Sequence, residues 1–241
     1  NVVKIFFNNY EVLSKKLKKL KVNAVIHCAT HYVKHHKFED LKKLSDSNIL
    51  FGNVLLENLE YMGVKKFINF STVWENYDGK KDNNFNLYSV YKSNFTRIMN
   101  FYKKKLNNIS FLNLTISDTF GENDKRNKII NILKNNYKKN LQTKIISKNL
   151  YLNLLNVVDI NNALILILKN KYKSGSYLLS NKNDFKIINI IKQLNKISEK
   201  KIKVKWLSDK VIKEKTYKYN ILKNWKPLNS KIEDIINVIT G

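Results

Sequence analysis

The run Lys66-Phe67-Ile68-Asn69-Phe70 is short and mostly apolar. It begins just after a Gly63 turn and stops at Ser71-Thr72, as a buried strand of an α/β sheet does. In such sheets ligands and chemistry sit outside the C-terminal ends of the strands, which makes Thr72 and Ser71 candidate site residues. Fifteen residues after Thr72, Leu87-Tyr88-Ser89-Val90-Tyr91-Lys92 opens a segment with Phe95, Ile98, Met99 and Tyr102 at helical spacing. Tyr88 and Lys92 are therefore i and i+4 neighbours on one helix face. Strand, hydroxyl-bearing loop and helix in this order tie the chain to an α/β class and put a phenol beside an ammonium.

That pair has a chemical use. A phenol with an ordinary pKa of about 10 is a poor acid or base at neutral pH unless a nearby cation stabilises the phenolate. Lys92 supplies such a charge. Thr72, with Ser71 as the alternative, supplies a hydroxyl to an oxygen on which charge develops, so the set suits proton transfer to or from an alcohol or carbonyl. The spacing alone is weak, because Tyr61/Lys65, Tyr77/Lys81 and Tyr219/Lys223 repeat it. Only Tyr88 opens a helix after a hydroxyl-tipped strand; the alternative is a helix-surface Tyr and Lys with no chemistry.

The 241 residues suffice for one large core or one and a half smaller ones. There is no apolar run approaching the roughly 18 residues a membrane helix needs and no signal-like start, so a soluble, cytoplasmic protein without a membrane partner is expected. The single cysteine, Cys28, excludes an internal disulfide within these residues. The formal charge of +26 raises a nucleic-acid reading. It is discounted because the lysines are spread over nearly every segment and arginine is confined to Arg97 and Arg126. His27, His31, His35 and His36 lie close together, but no carboxylate or thiol is set in step with them, and no metal is expected.

Along the chain, Val2 to Phe7 reads as a strand entered in mid-fold, and the first residue is Asn1 rather than Met, so a truncated N-terminus is expected. An amphipathic helix over Tyr10–Leu20, a strand over Asn23–Thr30 and a long helical region over Phe38–Met62 follow. After the central unit come a strand at Ile109–Ile116, a polar loop at Asp118–Arg126 and a helix at Ile129–Tyr137. Short strands are expected at Lys144–Ile146 and Leu152–Val158, with Asp159 as N-cap of a helix over Asn161–Leu168. A strand at Ser176–Ser180, a helix at Ile187–Ile197, a basic strand at Lys201–Trp206 and a closing helix from Ser230 complete the chain.

This order resembles the extended short-chain dehydrogenase/reductases, the NAD-dependent epimerase/dehydratase family. Asn23-Ala24-Val25-Ile26-His27-Cys28-Ala29-Thr30 resembles the family's D-V-V-I-H-L-A-A strand, and Asn48 with Leu55-Leu56-Glu57 resembles its N-x-x-G-T-x-N-L-L-E helix. Asp118-Thr119-Phe120-Gly121 is similar to N-V-Y-G-P. Leu154 to Ile160 is similar to D-F-I-Y-V-D-D-V, Gly175 to Ser180 to G-x-Y-N-V-G, and Asn224-Trp225-Lys226-Pro227 to G-W-x-P. Six landmarks in the right order span nearly the whole chain. The Gly-x-x-Gly-x-x-Gly turn that lets a helix N-terminus approach a pyrophosphate is not among these residues. Thr115 and Ile160 stand where the family has Arg and Asp.

The resemblance implies an α/β, doubly wound parallel sheet, Rossmann-like and N-terminally truncated, with a smaller C-terminal substrate lobe. The dinucleotide-binding part is expected over 1–118 and 157–181, and the substrate lobe over 119–156 and 182–241. By the same resemblance Tyr88 is the acid/base and Lys92 its partner and nicotinamide-ribose contact. Thr72 contacts the substrate hydroxyl, Ala29, Thr30, Lys92 and Tyr88 bind NAD or NADP, and Arg126 and Lys128 meet a nucleotide diphosphate. The implied activity is that of an NAD(P)-dependent oxidoreductase or epimerase on a CDP- or dTDP-linked deoxysugar, in a possible homodimer. The alternatives are a degenerate, non-catalytic nucleotide-sugar binder and a basic nucleic-acid-binding protein.

Overall fold

The structure is a computed structural model describing residue 2 and residues 4–241. In chain order it contains α1 (Tyr10–Leu17), β1 (Ala24–His27), α2 (Asp40–Ser45), α3 (Phe51–Met62), β2 (Lys66–Thr72), α4 (Leu87–Lys105) and β3 (Ser110–Ile116). There follow β4 (Asp118–Phe120), α5 (Ile129–Lys138), β5 (Thr143–Ile145), β6 (Tyr151–Leu152), β7 (Leu154–Asn156) and α6 (Val157–Lys169). The chain closes with β8 (Gly175–Leu179), β9 (Phe185–Lys186), α7 (Ile187–Ile197), β10 (Val204–Trp206), β11 (Asn220–Ile221) and α8 (Ile232–Thr240). It divides into two compact units. The first comprises 1–115, 167–178 and 216–221, and the second 116–166, 179–215 and 222–241.

The first unit carries a parallel sheet of order β1-β2-β3-β8-β11. β1 and β2 run in register from Ala24–Lys66 to His27–Asn69, so their C-terminal ends finish side by side. One face packs on α1, α3 and α4 through Leu13, Leu17, Leu56, Leu59, Phe67, Phe95, Met99 and Phe111. These are the positions that helical and alternating periodicity put on one side. Gly63 ends α3 at φ 71°, a left-handed conformation open to glycine, and the Val64 N–H returns to the Leu59 carbonyl at 3.1 Å. At the opposite end of the sheet, the Lys66 ammonium donates to the carbonyls of Ile167 and Leu168 in the last turn of α6 and of Asn170 just past it, at 2.7–2.8 Å.

A polar line crosses this sheet below its C-terminal edge. His27 Nδ1 meets Asn69 Oδ1 at 2.9 Å, Asn69 Nδ2 donates to Asn113 Oδ1 at 2.7 Å, and Asn113 Nδ2 reaches Thr96 Oγ1 at 3.3 Å. All of these strand residues are buried, and pairing them removes the cost of unmet polar groups in the core.

The expected strand at Val2–Phe7 is corrected. Val3 lies outside the described residues, and residues 4–7 form no strand. A strand is made by a ladder to a neighbour. Here the Phe6 carbonyl is taken by Lys16 Nζ at 2.7 Å, and the Phe7 ring lies against Tyr10 and Phe51, so side chains rather than a ladder attach the segment.

The second unit has its own core of Phe120, Leu133, Leu154, Ile187, Ile190, Leu194, Ile235 and Ile239. The parallel pairs β4–β7 and β5–β10 and the antiparallel pair β6–β9 surround it. Asp159 is not an N-cap, since α6 already begins at Val157. Its carboxylate, at 0 % exposure, accepts the Leu228 and Asn229 N–H groups, the Asn229 side-chain amide and the Ser230 hydroxyl at 2.5–3.1 Å. The Trp225 indole N–H donates to its carbonyl at 3.0 Å, so one residue organises the turn before α8.

This packing sets the cost of two substitutions. A Cβ on Gly52 would lie 2.3 Å from Phe95 Cε2 and 3.1 Å from His27 Cε1, inside a ring cluster with no room to yield. Gly52→Ala is expected to cost about 1–3 kcal/mol in urea unfolding. Asp159→Ala strands several buried donors at once and is expected to cost roughly 2–4 kcal/mol in the same assay.

Candidate active site at the strand ends of the first unit

Three elements converge where β1 and β2 stop. Beyond the His27–Asn69 pairing the chains continue to Cys28-Ala29-Thr30 and to Ser71-Thr72. A π-helical turn at Asp46–Leu50, between α2 and α3, turns the buried Asn48 toward the first of these. Its Oδ1 accepts the Thr30 hydroxyl at 2.6 Å and its Nδ2 donates to the His31 carbonyl at 3.0 Å, so the loop after β1 is clamped. His31 in turn pairs with Asp40 at 3.2 Å. Thr30 is exposed and Ala29 half-buried, leaving the strand end open to a ligand.

β2 hands over to short 3₁₀ turns within Val73–Gly79, interrupted by non-helical backbone at Asn76, Tyr77 and Asp78, with Thr72 as the N-cap. The Thr72 hydroxyl accepts the Trp74 N–H at 3.3 Å, while the Glu75 carboxyl reaches back to the Thr72 backbone. The helix α4 starts with a capping box: Asn86 Oδ1 accepts the Ser89 N–H at 3.0 Å and Ser89 Oγ accepts the Asn86 N–H at 3.1 Å. These caps fix where Tyr88 and Lys92 emerge. The Tyr32 ring meets Tyr88 edge-on at 5.1 Å and Trp74 at 6.1 Å, an aromatic link between the first turn of α4 and the residues just after Thr72.

Lys92 is buried, at 4 % exposure. Burial pulls its pKa down to about 8, against the upward pull of Glu75 and Cys28. Burial likewise pushes Glu75 up to about 8, opposed by the Lys92 charge, the Thr96 hydroxyl and the Thr72 backbone. The Cys28 thiol is raised by burial and lowered by Lys92, which places the ammonium within electrostatic reach of the β1 end as well. His27 is held neutral, down to about 4, chiefly by burial. Asn48 thus holds Thr30, Tyr32 touches both Tyr88 and Trp74, and the Lys92 charge acts on Cys28 after β1 and on Glu75 after β2. The Ser71 hydroxyl is buried at the same edge with no hydrogen-bond partner among the described residues.

Arg126 and Lys128 belong to the second unit. Arg126 forms a fork on Asp124 and donates to Thr119 Oγ1 at 2.8 Å; Lys128 pairs with Asp118 at 3.1 Å. Burial works against the Asp124 charge, yet the hydrogen bonds and charge of Arg126 hold the carboxyl below its ordinary value. A cavity of about 650 Å³ opens beside this fork, lined by Gly121, Asp124, Arg126, Asn156, Val158 and Asn229 among others.

Sequence reasoning overlooked Glu75 and the asparagine line. Both had a signal: Thr-x-x-Glu is the pattern by which an acid can reach back to a helix start, and Phe67-Ile68-Asn69 and Phe111-Leu112-Asn113 repeat one amide in two otherwise apolar strands.

The chain is 29 % identical over 157 residues to the CDP-abequose synthase of Yersinia pseudotuberculosis, a match covering 65 % of this chain and 54 % of that protein. It thus spans about half the length of this curated relative. Among solved structures, the UDP-glucose 4-epimerase of Brucella ovis in complex with NAD superposes with a TM-score of 0.79 at 15 % identity, over 95 % of this chain and 80 % of that one. The UDP-glucuronic acid 4-epimerase of Bacillus cereus, in complex with UDP-glucuronic acid and NAD, gives 0.76 at 20 % identity, over 94 % and 77 %. The dTDP-glucose 4,6-dehydratase of Bacillus anthracis in complex with NAD gives 0.75 at 17 % identity, over 96 % and 76 %. At such identities these likenesses speak for the fold. Residues 1–180 match the model of one family throughout, and on that match the chain belongs to the NAD dependent epimerase/dehydratase family.

Proposed function

We propose that this chain forms part of an NAD(P)-dependent oxidoreductase or epimerase acting on a CDP- or dTDP-linked deoxysugar, with Tyr88 as its acid/base. The observation that carries the reading is the buried Lys92 ammonium, one helical turn from Tyr88 and within electrostatic reach of Cys28 and Glu75. The family and the CDP-abequose synthase relative support the substrate class.

NAD or NADP fits the residues present at its nicotinamide end. Thr30 is exposed, Ala29 is small and half-buried, and Ser71 keeps unmet hydrogen-bonding capacity at the same edge. Ala29, Thr30, Tyr88 and Lys92 are the proposed contacts, and the bound dinucleotide supplies hydride exchange at a sugar carbon. The chain's own groups handle the proton. Lys92 stabilises the Tyr88 phenolate, so the phenol can give up or take a proton at the sugar oxygen near neutral pH. The Thr72 hydroxyl donates to that oxygen as charge builds on it. In the second unit, Arg126 and Lys128 are the proposed diphosphate contacts, each exchanging a carboxylate partner for a phosphate oxygen. The dinucleotide-binding role is assigned to residues 1–118 and 157–181, and the substrate role to 119–156 and 182–241.

The full gene product should be titrated with NADH and NADPH and assayed with CDP- and dTDP-linked deoxysugars. Tyr88→Phe is expected to abolish turnover while sugar-nucleotide binding survives, because it deletes a proton donor and little surface. Lys92→Met should match that loss and also weaken dinucleotide binding. Thr72→Ala should lower kcat by about 10 to 1,000-fold, the range for one lost oxyanion contact. Wild-type turnover by Tyr88→Phe would overturn the assignment.

A further inference from the structure

The first unit holds a second cavity, of about 500 Å³, bounded by α4, the turn after β2, Asn113 of β3 and residues 217–220. None of Thr72, Tyr88, Lys92, Ala29 and Thr30 lines it. No aliphatic side chain lines it either; the walls are amides, hydroxyls, acids, cations and two tyrosines. Those walls are fixed by bonds among themselves. Asn76 Nδ2 donates to the Tyr219 hydroxyl at 2.7 Å, and Asn76 Oδ1 accepts the Asp82 N–H at 2.7 Å. Asn220 Nδ2 donates to the Ser176 carbonyl at 3.2 Å, and Arg97 pairs with Asp82 at 3.2 Å.

Two kinds of group are left over. Glu75 lines the cavity at 6 % exposure, and its Oε1 has no hydrogen-bond partner among the described residues. Lys81 and Lys218 line it as well, both exposed and neither with a hydrogen bond or ion pair among the described residues. A buried polar atom left unmet is costly, and an occupant that bonds it removes the cost.

We propose that this cavity binds a small polyhydroxylated anion, a sugar bearing a phosphate or a carboxylate, with a sugar hydroxyl on Glu75 Oε1 and the anionic group on Lys81 and Lys218. The inference goes beyond the Tyr88 chemistry and does not depend on it. The walls select this class. An apolar ligand would find no aliphatic surface and would strip water from amides and hydroxyls without return. A cation would meet Lys81, Arg97 and Lys218, and also a carboxyl that burial, its largest influence, pushes up to about 8, so that it is mostly uncharged at neutral pH. An uncharged carboxyl suits a sugar hydroxyl, since it can both donate and accept. The half-buried Tyr217 ring, edge-on to Tyr219 at 5.2 Å, offers a flat surface to the C–H face of a sugar. The volume lies within the roughly 300–1,000 Å³ of small-molecule sites.

The test is isothermal titration calorimetry of the full gene product with D-glucose 6-phosphate, D-glucuronate, D-glucose and inorganic phosphate, each with and without excess NADH and a CDP-linked sugar. At least one sugar anion should bind saturably, about 10-fold or more tighter than both glucose and inorganic phosphate, and within twofold of the same affinity when NADH and the CDP-linked sugar are present. The tighter of the two identifies the anionic group. Replacing both lysines, Lys81→Ala with Lys218→Ala, should weaken that binding about 10-fold or more, as should Glu75→Leu. The lysine pair is exposed, so it carries the test even where Glu75→Leu does not fold. Four results would each overturn the proposal: no saturable binding of either sugar anion, inorganic phosphate binding as tightly (an adventitious ion only), an affinity unmoved by the double lysine variant, and displacement by NADH or the CDP-linked sugar.

Discussion

Lys92 carries an ammonium into a place where only 4 % of the residue meets solvent, and much of the first unit is arranged to keep it there. An unpaired buried charge is expensive, and proteins usually answer by neutralising it or surrounding it with polar groups. Here both answers operate. The pKa falls by burial, and a carboxyl, a thiol and a polar line stand around the site. The helix that delivers the ammonium is held at its start and along its flank. Asn86 and Ser89 cap the first turn, and Phe95, one turn beyond Lys92, fills the space left by Gly52. A larger residue at position 52 would move the ring, and with it the turn that presents Lys92.

The second unit solves a similar problem in the opposite sense. Asp159 is a fully buried carboxylate whose oxygens are satisfied by backbone and side-chain donors from Leu228 to Ser230. Saturated in this way, it acts as a rigid fastener, with nothing left over for chemistry. Glu75 keeps one oxygen unmet and faces a cavity.

The alternation of apolar runs and amphipathic segments was enough to read the strands at Lys66 and Ile109 and the helices at Leu87 and Ile187, because each is long or strongly periodic. The end of β2 at Thr72 and the one-turn spacing of Tyr88 and Lys92 on α4 were legible for the same reason, since an apolar run ends where its strand does and a helix repeats every turn. Other features were hidden by their dependence on distant residues. The apolar opening Val2 to Phe7 looked like a strand, yet a strand exists only with a neighbour, and Lys16 takes the Phe6 carbonyl instead. Asp159 resembled a cap because caps are local, while its true partners lie some 70 residues on. The π turn that aims Asn48 leaves no mark in periodicity.

The excess of 45 Lys and Arg over 19 Asp and Glu also has a structural use. With few carboxylates available, lysine side chains turn to main-chain carbonyls. Lys66 closes α6, Lys21 meets Tyr61, Lys134 meets Glu122 and Lys138 meets Gly241, all at 2.7–3.1 Å. Each bond neutralises a helix-end or loop acceptor and leaves the positive charge uncancelled. The result is a diffuse positive field, screened beyond about 10 Å at moderate salt, that draws anions of any kind without choosing among them. Selection must then come from short-range geometry. A nucleic-acid surface needs cations clustered along a groove with stacking aromatics, whereas a nucleotide diphosphate needs two or three donors at one spot. Arg126, forked on Asp124 beside a cavity, and Lys128, paired with Asp118 two residues along the chain, are the pair proposed for that second arrangement.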